Sequence, residues 1–300
     1  MARVNFLAVA GATLLAGTGA FAADFPPAMP PMPTPMMQPA PVIDTSGWYL
    51  RGDVGVGVQS FSKFQHTSTN PNFVWPASWT IDQKDIDYGA FIGFGVGYAW
   101  NSWLRIDVTG EHRAKVKFKA IGSYTEFCPG GRCFDVYDGS HSASVFLANA
   151  YIDLGTWWCL QPFVGLGVGG AYHRVTSVHD VGYISDGTTG FGYAATDKSS
   201  FKFAWAAHAG VAYNYSEKIK FEFAYRYLNM GSAQTAIVDC SSAGCQTNGA
   251  RAYYTMTDLT SHDFKIGVRW MLQPDPVPAY APVYAPPPPV YAPPPLMRKG

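Results

Sequence analysis

Between residues 47 and 272 apolar and polar side chains alternate with period two. That is the signature of β-strands whose two faces meet different surroundings. In the first run, Trp48 to Phe61, the residues Trp48, Leu50, Val54, Val56 and Val58 share one face. Tyr49, Arg51, Asp53, Gly55, Gly57 and Gln59 share the other. The second run, Asp87 to Trp100, sets Tyr88, Ala90, Ile92, Phe94, Val96 and Tyr98 against Gly89, Phe91, Gly93, Gly95 and Gly97. Six further runs follow the same rule. They are centred on Leu104–Val108, Phe146–Leu154, Val164–Tyr172, Phe201–Tyr213, Ile219–Tyr227 and Phe264–Leu272. No Asp, Glu, Lys or Arg falls on an apolar face. His112 is the polar residue there and is expected near a rim.

The connections predict an up-and-down arrangement. Asn101-Ser102, Gly155 to Leu160 and Ser216 to Lys218 are tight, whereas 62–86, 119–143, 175–200 and 232–260 are long and polar and read as loops. Short turns at one end and long loops at the other are typical of outer-membrane barrels. Trp48, Trp100, Trp103, Trp157, Trp158 and Trp270 all map to the tight-turn end. Indole prefers a membrane interface, so these six are expected to form an aromatic girdle.

Two barrels share such a pattern, one with the apolar face inside and one with it outside. An eight-stranded barrel has room inside only for modest side chains. The apolar face carries Trp, Tyr, Phe, Leu and Ile, which are too bulky to pack there. The other face is rich in Gly with scattered charge. The expected fold is therefore all-β: an eight-stranded antiparallel up-and-down transmembrane β-barrel with flexible Pro-rich termini. The inward charges are Arg51, Arg105, Arg113, Lys220, Arg226, Lys265 and Arg269 against Asp53, Asp107, Glu111, Asp153, Glu222 and Asp263. Near balance predicts a paired network that plugs the lumen, since buried charges persist only when paired.

Composition agrees. Charged residues are 14% of the 300, against roughly 25% in soluble domains. A surface band facing lipid needs no charge. The formal net charge is zero, so there is no basic surplus for nucleic acid. Residues 1–22 read as a secretory signal peptide, with Arg3, an apolar run and Ala20-Phe21-Ala22. Residues 23–46 form a Pro/Met-rich linker, 47–272 the barrel, and 273–300 a Pro-rich tail with three Tyr-Ala-Pro repeats. An even strand number puts both termini in the periplasm. There the Pro-rich segments are candidates to contact peptidoglycan or a periplasmic protein.

Five cysteines suit an oxidising compartment. Cys128 with Cys133 and Cys240 with Cys245 are the economical disulfide pairs, and a four-cysteine metal site is the alternative. Cys159 is expected to be a free, buried thiol. No spacing of His places a nucleophile, base and orienter together, so neither an enzyme nor a cofactor is expected. Among the histidines, His66, His141 and His179 are placed in external loops, where they are the candidates for haem or metal capture. Arg51-Gly52-Asp53 spells an adhesion tripeptide, but within a strand and pointing inward.

Short motifs carry a resemblance. Arg51-Gly52-Asp53-Val54-Gly55-Val56-Gly57, Pro162 to Gly169, Tyr225-Arg226-Tyr227, His262-Asp263 and Gly267-Val268-Arg269-Trp270 look like the small outer-membrane β-barrels of alphaproteobacteria. These are the porin-family or opacity-like proteins, similar to the barrel half of outer-membrane protein A. The resemblance spans about 47–272 and implies a structural or surface-contact role in a Gram-negative envelope. Lipid and lipopolysaccharide are then neighbours, with host surfaces or haem as loop ligands in some relatives. A narrow diffusion pore is the alternative. The chain departs from the family in lacking a globular peptidoglycan-binding domain.

Overall fold

A strand with one face wet and one face apolar must close on itself or find a second layer, and here it closes. The structure, a computed structural model, describes residues 46–71, 75–126, 128, 131–183, 189–240 and 251–272; the side chains of Thr189 and Cys240 are not included. They belong to one unit, Ile43–Gly300. The signal peptide, linker and tail expected from sequence lie outside the described residues, apart from Ser46.

Eight antiparallel strands make the ring. They are β1 (Gly47–Ser60), β4 (Gly89–Ala99), β5 (Leu104–Tyr124), β6 (Cys133–Asp153), β7 (Leu160–Tyr183), β9 (Lys198–Asn214), β10 (Ile219–Asn229) and β14 (Thr260–Met271). Each pairs with the next, and β14 pairs back onto β1 from Tyr49↔Met271 to Ser60↔Thr260. Closure leaves no edge within this ring. The tight turns are held locally. Asn101 Oδ1 accepts from the amides of Trp103 (3.0 Å) and Leu104 (2.7 Å), and Ser216 Oγ accepts from the amide of Ile219 (3.0 Å).

The long polar loops expected at the other end are instead largely strands. The segments β5, β6 and β7 run 21, 21 and 24 residues, about twice the 9–11 that cross a bilayer. Their outer halves are joined by β2 (Lys63–Ser68), β3 (Thr80–Ile86), β8 (Thr189–Ala194), β12 (Val238–Cys240) and β13 (Arg251–Thr257), with β11 (Ala233–Gln234) beside β13. The pairings run β3–β5–β6–β7–β8–β12–β13–β2. The ring's strand order thus continues outward as a taller wall.

The two storeys have opposite polarity. In the lower one Leu50, Val54, Phe94, Val108, Phe146, Leu166, Phe203, Phe223 and Ile266 are exposed on the outside. In the upper one the apolar side chains turn inward. Phe64, Val116, Phe118, Tyr137, Val178, Tyr254 and Met256 form one buried core with Leu228 and Met230. Register shifts make the switch possible: β5 shifts between Arg113 and Val116 in its pairing with β6, and β6 shifts between Asp138 and Ser140 in its pairing with β7. The backbone of Ser177 on β7 takes a φ of 53°. An extra residue rephases which side chains point in.

Candidate functional site: a charged lumen beneath an outer wall

Alternation along β1, β5, β6, β10 and β14 brings the thirteen lumen candidates inside, where they form two groups. Towards the turn end, Arg51 bonds Asp53 (2.9 Å), Asp107 (2.8 Å) and Glu222 (3.2 Å). Glu222 also meets Arg105 (3.4 Å) and Arg269 (3.1 Å). Arg105 pairs with Asp153 (3.2 Å), and Lys265 approaches Asp53 (3.7 Å). Lys220 is half-buried and donates to Gln161 Oε1 (3.0 Å) rather than to a carboxylate. Above, Arg113 and Arg226 share Glu111 and Asp263, with Arg226 to Asp263 at 2.6 Å and Ser261 Oγ donating to Asp263 (2.6 Å).

Inward aromatics lie against these charges, a role that sequence reasoning missed. The Arg105 guanidinium lies 4.1 Å from the Tyr151 ring centre and 4.6 Å from that of Phe163. Arg113 and Arg226 both lie over Phe91 (4.9 and 5.1 Å). A desolvated guanidinium gains from an aromatic face. Small residues give these groups their space. A Cβ at Gly97 would strike the Tyr49 ring, and one at Gly57 would strike Arg113, Asp263 and Ser261.

All six girdle candidates are exposed at the turn end, with Trp158 at 97%. Cys159 follows Trp158 in the turn before β7 and is exposed, not buried. Six residues form a connection too short to bury a side chain, so the expectation fails there. Cys128 and Cys133 are joined by a disulfide at the β5–β6 tip, which excludes them from a metal site. The Cys240–Cys245 pairing lies outside the described residues. Arg51 and Asp53 of the tripeptide are buried and bonded to each other, and so cannot reach an external partner.

The histidines are not loop residues. His141 lies on β6 and is buried, its Nε2 2.9 Å from Nδ1 of His173, whose Nε2 reaches the carbonyl of Met230 (2.9 Å). His66 is on β2 against Trp75, with ring centres 3.9 Å apart. His179 is on β7 beside Asp138 (3.2 Å). The outer core also holds two carboxyls. Asp180 accepts from Tyr254 (2.6 Å) and Asp135 accepts from Tyr137 (3.2 Å). Burial pushes Asp135 up to about 6. Burial, with Asp135 nearby, pushes Asp180 up to about 7.

A closed β-ring with lipid-type residues outside and charge inside defines a membrane β-barrel. Residues 33–271 match the outer membrane protein beta-barrel domain family, and the chain belongs to it. It is 27% identical over 274 residues to a protein of Rickettsia prowazekii whose name gives it as a putative adhesin, covering 90% of this chain and 99% of that one. It is 30% identical over 214 residues to an uncharacterized protein of Brucella suis, covering 65% and 72%. Among solved structures it is similar to the outer membrane protein OprG of Pseudomonas aeruginosa. That match has a TM-score of 0.46 and 14% identity, over 76% of this chain and 97% of that one. It is similar also to Neisserial surface protein A, with a TM-score of 0.38 and 15% identity, over 75% and 97%. The family places the chain in the outer membrane.

Proposed function

We propose that this protein is a non-conducting outer-membrane barrel that serves envelope integrity and presents a rigid wall to surfaces outside the cell. The observation that carries this reading is the outward continuation of β5, β6 and β7 as a cored sheet. A structure built only to hold lipid has no need of it. At about 3.3 Å per residue, β7 alone runs on the order of 80 Å. Both termini then lie in the periplasm, with lipid and lipopolysaccharide around the belt and the Pro-rich segments as candidates to contact peptidoglycan or a periplasmic protein. The adhesin name borne by the rickettsial relative supports the surface-contact half of the reading.

A plugged lumen follows from the paired charges, and it stands against the pore reading. Purified protein in a planar bilayer is expected to give no stable, large channels. Nanodiscs carrying it are expected to adhere to animal cells above empty nanodiscs. Stable channels would overturn the plug, and absence of adhesion would overturn the surface role.

A further inference from the structure

Among the described residues the outer wall has one seam. Below it β1 and β4 pair without a break from Gly47↔Ala99 to Gly57↔Gly89. Among the described residues their outward continuations β2 and β3 do not pair with each other; β2 pairs with β13, and β3 pairs with β5. Every other neighbouring pair in the wall stays bonded among the described residues. Between the two edges lies a cleft of about 420 Å³.

The edges are in a definite phase. Thr69 N–H donates to Arg251 O (2.8 Å) and Asp87 N–H to Lys117 O (2.9 Å). In antiparallel pairing alternate residues bond to one neighbour and the others face away. The main-chain groups of Phe64 and His66 on β2, and of Lys84 on β3, therefore face the seam. Two devices keep it from collapsing on itself. The register of β3 shifts between Ile81 and Gln83, and Lys84 Nζ spans the base of the seam to the carbonyl of Ser62. Bulges and lysines are the usual guards of an edge against uncontrolled pairing.

The cleft also has a sidedness. Phe64, Trp79 and Ile81 form its floor, and the latter two pack on the core only partly buried. On the rim, Asp82 is neutralised by Arg132 (3.1 Å), whereas Lys63 has no ion pair among the described residues and Lys84 bonds a neutral carbonyl. The uncompensated rim charge is positive.

We infer that the β2–β3 seam is a docking slot for an extended peptide of an external protein, which enters as an added strand. Apolar residues at alternate positions would rest on Phe64, Trp79 and Ile81, and acidic residues between them would face Lys63 and Lys84. Main-chain bonds to both edges supply affinity, and the alternate side chains supply selectivity. Because β2 and β3 run in opposite directions, the added strand is parallel to one and antiparallel to the other. This inference rests on the surface-contact reading and names its site.

The test pans random twelve-residue peptides against the full-length protein in nanodiscs. Enrichment of sequences alternating apolar and acidic residues is expected, with slowed amide exchange at Phe64, His66 and Lys84 on binding. Methylating alternate backbone nitrogens of an enriched peptide should weaken capture about tenfold, which a purely side-chain contact would not do. The Lys63→Glu/Lys84→Glu variant should switch the enrichment from acidic to basic, and its heat-modifiable gel migration checks that it folds. Enrichment without period two, indifference to N-methylation, or protection elsewhere on the wall would each overturn the slot. If nanodiscs adhere to cells while no such peptide is captured, the surface role stands and the slot falls. Capture without adhesion does the reverse.

Discussion

Glu222 meets three guanidinium groups at once, those of Arg51, Arg105 and Arg269. Removing its charge leaves buried cations in surplus, a change that typically costs about 3–5 kcal/mol. Glu222→Gln is expected to lower the temperature at which the folded gel band converts to the unfolded one. Glu217→Gln, on the exposed turn before β10, should leave it unchanged. Gly57→Leu puts a side chain where Arg113 and Asp263 meet and should cost about 1–3 kcal/mol by the same measurement. The inward direction of these charges was legible from alternation together with the bulk of the apolar face. Their partners were not, because Arg51 and Glu222 are 171 positions apart. Only ring closure brings them together. Lys220 illustrates the limit, since it shares the lumen face but takes Gln161 as partner.

The outer halves of the strands were misread as loops, and β5 explains why. Its lower half reads apolar out, as Ile106 and Val108; its upper half sets Val116, Phe118 and Ala120 inward against exposed Lys115, Lys117 and Lys119. The apolar residues stay on even numbers from Leu104 to Ala120, but the extra residue at the bulge turns that face from outside to inside, and the alternation in the sequence does not show the turn. That inversion marks the height at which lipid gives way to water. The upper element brings its own chemistry. Asp135 and Asp180, among Tyr124, Tyr137 and Tyr254, titrate above the ordinary carboxyl range. Between about pH 4 and 7 the folded wall therefore holds protons that the unfolded chain has released. Its stability is full below pH 4 and falls as pH rises through 6 to 7. After correction for intrinsic rates, amide exchange in the upper halves of β6 and β7 should be slower at pH 5 than at pH 8. The Asp135→Asn/Asp180→Asn variant should lose that difference.

Two storeys on one set of strands give the molecule two stabilities. The lower ring is closed, flanked by lipid and lined by ion pairs. The upper wall has a seam and depends on its aromatic core. Tyr254 stacks on Phe64 and meets Tyr137 at a tilt, with ring centres 5.3 and 4.7 Å away. Tyr254→Ala should cost the wall about 3–5 kcal/mol. Limited proteolysis should then cut within 62–86 or 232–260, while the heat-modifiable barrel band survives. Simultaneous loss of both would show a single cooperative unit instead.

Period-two patterning and turn length were enough to specify eight strands and their order, and the bulk of the apolar face then decided the lipid-facing side and the inward set of charges. Each of these follows from local alternation, turn length and side-chain size, which are properties of neighbouring residues. The pairing of the lumen charges, the burial of His141, the exposure of Cys159 and the seam between β2 and β3 depended on contacts between distant segments. They were settled only when the sheet closed, because closure decides which side chains share a space and which edges are left without a neighbour.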